Sequence, residues 1–305
     1  MTRRPVTLLV NPGAGGKPGS GPPLDDDPAR LTPEALAAAL RDRGLDVEVH
    51  ALTEESDPGA LATSAADAGR DVVVAGGDGT VSMAASALIG RPEVSLGILA
   101  MGSFNNMARG FAIPTTLEPA LDVISAGATT AVDCGWVVRD GEDGKPFFEA
   151  AGVGLDAVGF MAVEIAGRRG WWRALQSLWR GLRTRRTPMR ITIDDHAYRT
   201  GSPAVTVSNG PYHGLGFAIS ADADPTDGVL DVAIFTGMGR LEVLRYFMAV
   251  ARRRPRREAR VSDYRGRRVT IEGRRRALPA HADGVIVGTT PVTFEVRPEA
   301  LRIFR

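Results

Sequence analysis

The chain has 305 residues, 44% of them hydrophobic and 24% charged. That length favours two domains, and that composition excludes a disordered or collagen-like chain. The formal net charge of +1 excludes a molecule that recruits polyanions by its overall field. A single cysteine, Cys134, excludes an internal disulfide and fits a reducing compartment; in its apolar setting it reads as a small core residue rather than a nucleophile. No apolar run approaches the ~20 residues of a membrane span, and the first residues lead into a strand without the pattern of a signal peptide. The expectation is a cytoplasmic protein whose membrane contact is at most peripheral.

The first part of the chain alternates strand and helix signals. Residues 6–10 predict a buried strand, and residues 13–23 a loop rich in Gly and Pro. Thr32 followed by Pro33 starts a helix that Gly44 ends. A second strand covers 46–52, and Asp57-Pro58 opens a helix that runs to about Gly69. Strands follow at 71–75 and 94–99, with a helix-compatible segment at 81–89 between them. Strands alternating with helices predict a parallel sheet covered on both faces, with ligands at the carboxyl ends of its strands. Beyond about residue 130 the texture changes to short strand-like pieces: 136–139, 147–150, 190–193, 204–208, 230–235, 268–272 and 292–296. This predicts a mostly β second domain, with the boundary near Val132.

The most informative segment is the strand that ends in Gly76-Gly77-Asp78-Gly79-Thr80 and leads into a helix. A strand–glycine turn–helix start points backbone N–H groups at an open, electropositive space that suits a phosphate. Gly76, Gly77 and Gly79 permit positive φ and close approach of a ligand. Asp78 stands where it could hold a metal or a hydroxyl. Two further glycine-containing loops leave the same edge of the expected sheet, one at 11–16 and one at 101–106.

Asn11-Pro12-Gly13-Ala14-Gly15-Gly16, Gly76 to Thr80 and Gly102-Ser103-Phe104-Asn105-Asn106-Met107-Ala108-Arg109 together resemble the catalytic domain of diacylglycerol kinases and bacterial lipid kinases. Sphingosine and ceramide kinases share it. The resemblance continues through Gly152-Val153-Gly154-Leu155-Asp156, the run from Ser208 to Gly214, Asp227-Gly228 and Asp283-Gly284, so it covers nearly the whole chain in order. It implies a Rossmann-like α/β nucleotide-binding domain, similar to NAD kinase, over 1–132. A β-sandwich lipid-substrate domain over 133–305 would follow, with its extreme C-terminus able to pack back on the first domain and the active site in the cleft between them. It further implies transfer of the ATP γ-phosphate to a lipid hydroxyl with Mg²⁺. Gly76, Gly77, Gly79 and Thr80 would then hold the phosphates and Asn11 would lie beside the nucleotide. Thr53 would sit near the adenine or ribose, and Ser103 and Asn105 would complete a third wall. Asp78 and Asp156 would be the acidic residues near the metal and the acceptor hydroxyl. In bacterial members a loop like 223–229 holds a structural Mg²⁺, which here implies the Asp227 carboxylate with carbonyls from Asp224 and Val229; a plain Asp-Gly hairpin turn is the other reading.

Two positions depart from the family pattern. Asn106 stands where the family has Asp, so the metal-binding and proton-accepting capacity of a carboxylate is lost there. Val285 follows Asp283-Gly284 where the family has the Glu taken as general base. Either Asp156 or Asp283 then serves as base, or the metal activates the hydroxyl, or turnover is slow. His281 is a further candidate, with a surface histidine in a polar loop as the alternative.

Residues 168–190 carry eight arginines together with Trp171, Trp172 and Trp179, and Trp172, Leu175, Trp179 and Leu182 fall at helical spacing. An amphipathic helix of this kind suits an anionic membrane surface. A second basic run spans 252–276. No helix-turn-helix, zinc or RNA-binding motif supports nucleic-acid binding. The expected partner is a lipid substrate at an anionic membrane surface, and oligomeric state, a homodimer included, stays open. The competing functional readings are a soluble NAD kinase-like phosphotransferase and a nucleotide- or lipid-binding homologue without turnover.

Overall fold

The computed structural model describes residues 3–14, 24–139, 143–154, 187–214, 216, 218, 220–239, 242 and 260–305. Asp156 and the Trp/Arg segment before Thr187 lie outside the described residues. The chain divides into two compact units: Met1–Asp133 with Glu299–Arg305, and Cys134–Pro298.

In the first unit, β1 (Arg4–Val10), β2 (Leu45–Ala51), β3 (Asp71–Gly76) and β4 (Ser95–Ala100) form a parallel sheet in the order β2-β1-β3-β4. Every residue of β4, and all but the first of β3, is buried, as expected for strands covered on both faces. The helices are α1 (Pro33–Asp42), α2 (Pro58–Asp67), α3 (Asp78–Leu88), α4 (Asn106–Gly110) and α5 (Leu117–Ala126). Their starts follow local chemistry. The Thr32 hydroxyl accepts from the Ala35 amide at 3.3 Å, and Asp57 accepts from Gly59 and Ala60 at 2.9 and 3.1 Å. Pro occupies the first helical position in both cases, where its missing N–H costs nothing. Gly44 and Gly69 take positive φ just beyond the ends of α1 and α2, as a left-handed stop requires. Leu36, Leu40, Leu117, Leu121 and Ile124 close one face of the sheet over Leu8, Val10 and Val73.

The second unit is a β-sandwich. Its strands are β5 (Thr129–Val138, entering from the first unit), β6 (Lys145–Phe147), β7 (Ala150–Gly154), β8 (Thr187–Ile193), β9 (His196–Ser202), β10 (Ala204–Ser208), β11 (Leu230–Phe235), β12 (Val261–Gly266), β13 (Arg268–Gly273), β14 (Pro279–Ala282), β15 (Val285–Thr289) and β16 (Val292–Phe304, belonging to the first unit from Glu299 on). One sheet runs β12-β11-β10-β7-β14-β15; the other contains β16-β13-β8-β9 with β5 and β6 attached. Their inner faces share one core that includes Phe147, Val153, Ile191, Val205, Val232, Ile271 and Phe294. Phe147 and Phe294 meet edge to face at 6.0 Å.

Three expectations change. The segment 147–150 is not one strand but the end of β6, a turn and the start of β7. The piece at 292–296 is the first part of a 13-residue strand whose end pairs parallel with β4 through Arg302–Ser95 and Ile303–Leu96. Strands β9 and β12 carried no signal, because each sends little more than one tyrosine, Tyr198 or Tyr264, against the core, among exposed residues such as Arg199, Asp263 and Arg265.

Candidate phosphate-binding site

Strand β3 ends at Gly76, and Gly77 caps α3 in extended conformation (φ −91°, ψ 174°) with no side chain bonded to the first turn. The first intrahelical bond is Val81 N–H to Gly77 O at 3.0 Å, so the amides of residues 78–80 have no partner within the helix. A Cβ placed on Gly79 would meet nothing within 4 Å, so this turn faces open space. Such a helix start attracts an anion.

The expectation of positive φ in this turn is corrected: among the described residues, none of Gly76, Gly77 and Gly79 has it. Glycine is needed instead for close approach. A Cβ on Gly102 would lie 2.5 Å from Gly77 Cα and 2.9 Å from Asn105 Oδ1, and one on Gly77 would lie 3.1 Å from Gly102 Cα. The turns after β3 and β4 therefore pack backbone to backbone.

Three polar side chains fix these turns. Asn11 Nδ2 donates to Thr80 Oγ1 at 3.0 Å and its Oδ1 accepts from Gly13 N–H at 3.0 Å, which ties the turn after β1 to α3. Asn105 adopts left-handed backbone (φ 52°, ψ 45°), which Asn tolerates better than most residues. Its Oδ1 accepts from Gly102 N–H at 2.7 Å, and its Nδ2 donates to Gly102 O at 3.0 Å and Ala100 O at 3.3 Å. Asp78 Oδ1 accepts from Met107 N–H at 3.0 Å; the Asn105 and Asn106 amides also bond the carboxylate. Burial pushes the Asp78 carboxyl up, while these amides and Arg109 oppose the shift. Asp78 is thus the anionic anchor of α4, a role that sequence reading missed because its partner lies 29 residues away.

The other sequence candidates fall as follows. Ser103 is half-buried in the turn between β4 and Asn105. Thr53 is exposed just past β2, its N–H donating to Ser56 Oγ at 2.9 Å, with the two hydroxyls 3.1 Å apart. The strand order puts it two strands from β3, about 10 Å along the hydrogen-bonding direction. The structure brings Asn11, Gly76, Gly77, Thr80, Gly102 and Asn105 together directly, and Thr53 stands at the rim of the same edge.

The family of the diacylglycerol kinase catalytic domain matches residues 5–137, and that of the YegS C-terminal NAD kinase beta sandwich-like domain matches residues 154–305. A probable lipid kinase YegS-like protein of Enterobacter sp. is 30% identical over 212 residues, 67% of this chain and 70% of its own. The chain belongs to the diacylglycerol kinase catalytic-domain family. A diacylglycerol kinase of Mycobacterium tuberculosis is 29% identical over 308 residues, covering 98% of this chain and 94% of its own. A crystal structure of a diacylglycerol kinase from Bacillus anthracis shares the fold with a TM-score of 0.71, at 20% identity over 100% of this chain and 97% of that one. Membership of this kinase family makes the chain a lipid kinase-type transferase. No helix among the described residues is long and apolar enough to cross a membrane.

The remaining family positions lie in the second unit. Asp283 takes left-handed backbone (φ 44°). Its carboxylate accepts from the amides of Phe148 at 2.7 Å, Glu149 at 2.9 Å and Ala150 at 3.2 Å. Burial pushes it up to about 6, against the pull of these amides and of His281. This carboxylate holds the turn between β6 and β7. The next residues, Val285 and Ile286, are 65% and 38% exposed. His281 is fully buried on β14, which corrects the surface-histidine alternative. Sequence reading also missed Glu149, a buried acid whose carboxylate accepts from Gly214 N–H at 3.2 Å; its only signal was the run from Ser208 to Gly214, whose Asn209 and Gly210 amides bond the Glu149 carbonyl.

The loop expected to hold a structural Mg²⁺ does not fit one. Asp227 Oδ1 accepts from Val229 N–H at 3.1 Å and Oδ2 pairs with Arg265 Nη2 at 2.5 Å. Asp224 Oδ1 is taken by the Thr226 amide and hydroxyl, and its carbonyl accepts from Asp227 N–H. Asp227, the one carboxylate of the expected set, thus has an amide on one oxygen and a guanidinium on the other, where a cation would need a free oxygen.

Proposed function

We propose that this protein transfers the γ-phosphate of ATP to a hydroxyl of diacylglycerol or a related lipid. The observation that carries the reading is the uncapped first turn of α3 facing open space at Gly79, with the turns after β1 and β4 locked to it. The phosphates lie against the amides of residues 78–80, and Asn11 fixes Thr80 for the same job. Asn105 and Ser103 form the third wall, and Thr53 meets the adenine or ribose. Phosphoryl transfer asks mainly for positioning and charge neutralisation, and backbone amides supply both. Mg²⁺, when bound, neutralises charge on the transferred phosphoryl group. Asp78 suits a place beside it: with three amides on its carboxylate, about one of its four acceptor directions remains.

Asp78 is the acid proposed beside the metal, and Asp156 the acid proposed for the acceptor hydroxyl. Asp283 suits an anchor better than a base, because its oxygens are taken by amides. Lipid access at a peripheral, anionic membrane surface from the cytoplasmic side completes the reading. Val285 favours one alternative, a homologue that binds nucleotide and turns over weakly.

Incubation of purified protein with labelled ATP, Mg²⁺ and a lipid panel tests these readings. Label in diacylglycerol or a sphingoid base supports lipid kinase activity, and label in NAD a soluble NAD kinase-like enzyme. Tight nucleotide binding without transfer supports the weak homologue.

A further inference from the structure

Beside the loop expected to hold magnesium, two aspartates, Asp227 and Asp231, share one arginine, Arg265. Asp231 and Arg265 face each other across the β11–β12 ladder. Arg265 Nε lies 3.2 Å from Asp231 Oδ1 while its Nη2 holds Asp227 Oδ2 at 2.5 Å. Asp231 is pushed up by burial and by Asp227 and Asp222, and Arg265 opposes the shift. Asp263 is pushed up by burial and by Asp222. Arg265 bonds both Asp227 and Asp231, so one cation bridges the loop carboxylate and the strand carboxylate. The two carboxylates in turn raise Arg265.

A divalent ion in this loop would use Asp227 as its carboxylate ligand and would bring its charge beside Asp231. The guanidinium does both. Its planar fork offers separate N–H groups to two acceptors at once, geometry that a lysine lacks. A strand fixes its backbone opposite Asp231, so little ordering remains to be done when the pair forms. The Asx-type bond from Val229 N–H closes Asp227 from the other side.

We infer that Arg265 takes the place of the structural cation in this chain, so that the loop over residues 224–229 is held by an internal ion pair and needs no metal. The inference concerns the β-sandwich alone and stands whether or not the kinase reading does.

The test is thermal unfolding of nucleotide-free protein in EDTA and in millimolar Mg²⁺, for the wild type, Arg265→Ala and Asp227→Ala. The wild type is expected to show no magnesium-dependent gain that Asp227→Ala removes. Arg265→Ala is expected to melt roughly 2–4 °C lower in EDTA and to recover in Mg²⁺, because the freed carboxylates then attract the ion. Calorimetric titration of the wild type with MgCl₂ keeps the question open to refutation if Arg265→Ala does not fold. A wild-type gain in Mg²⁺, or a binding isotherm, that disappears in Asp227→Ala overturns the inference. So does an Arg265→Ala protein that matches the wild type in both media.

Discussion

The turns after β3 and β4 and the turn before β15 both spend a buried carboxylate on backbone amides, yet they leave different surfaces. Asp78 ties α4 to α3 and Asp283 ties β7 to β14, each through three N–H groups. In the first unit what remains facing outward is backbone: the amides at the start of α3. In the second unit it is side chain: Val285 and Ile286. A phosphate site built from backbone tolerates sequence change, since any residue brings its amide. A proton-handling site does not, since valine has no group to accept a proton. On the proposed function, binding rests on backbone and chemistry on side chains in this chain, and the comparison can be broken at either end.

The largest effect is expected at Val285. If the missing carboxylate limits turnover, Val285→Glu raises kcat for lipid phosphorylation by ~10²–10⁴, the usual worth of a general base, with KM for ATP little changed. A variant that binds ATP normally and gains nothing shows that the base lies elsewhere. At the backbone end, Gly102→Val drives its Cβ to 2.5 Å from Gly77 Cα. Relief of that overlap costs about 1–3 kcal/mol and moves the two turns apart. Calorimetry with ATP should show binding lost or sharply weakened, and thermal melting should show the fold retained at lower Tm.

Asp283 gives a pH signature. Its carboxyl is pushed from its ordinary 3.8 up to about 6 in the folded protein, so folding takes up a proton. The stability this group contributes is complete below about pH 4 and is lost as pH rises through 6. The titratable side chains nearby are His281 on β14, which opposes the shift, and Glu149 in the anchored turn. Asp283→Asn keeps an acceptor oxygen and removes the titration, so chemical denaturation across pH 4–7 should flatten relative to the wild type. An unchanged slope assigns the titration to another acid.

Much of the first unit was legible because its punctuation is local. Thr32, Asp57, Gly44 and Gly69 act within a turn of where they stand, and the β-branched run at 72–74 needs no partner to declare itself. The glycine turn between β3 and α3 was legible for the same reason. What the sequence hid is long-range. Asp78 meets Met107 across 29 residues, Asp283 meets Phe148 across 135, and Asp227 meets Arg265 across 38. The family resemblance implies a chemical role for each of these acids, and the fold adds an amide or a guanidinium that no local pattern announces. The split of 147–150 into two strands follows from the same Asp283 contact, which no reading of four residues contains.

The smallest effect separates the fold of the sheet edge at β2 from the nucleotide binding proposed for it. Asp57 caps α2 with bonds to Gly59 and Ala60 and stands in the connection that begins at Thr53. It makes no bond to residues 76–80 among the contacts that fix that turn. Asp57→Ala should cost about 1 kcal/mol, the ordinary worth of a helix cap, read as a small fall in Tm. Phosphate binding, measured with ADP, should persist. If ADP affinity falls tenfold while Tm hardly moves, the connection after β2 is itself a nucleotide contact, and the backbone turn at α3 carries less of the binding than its geometry suggests.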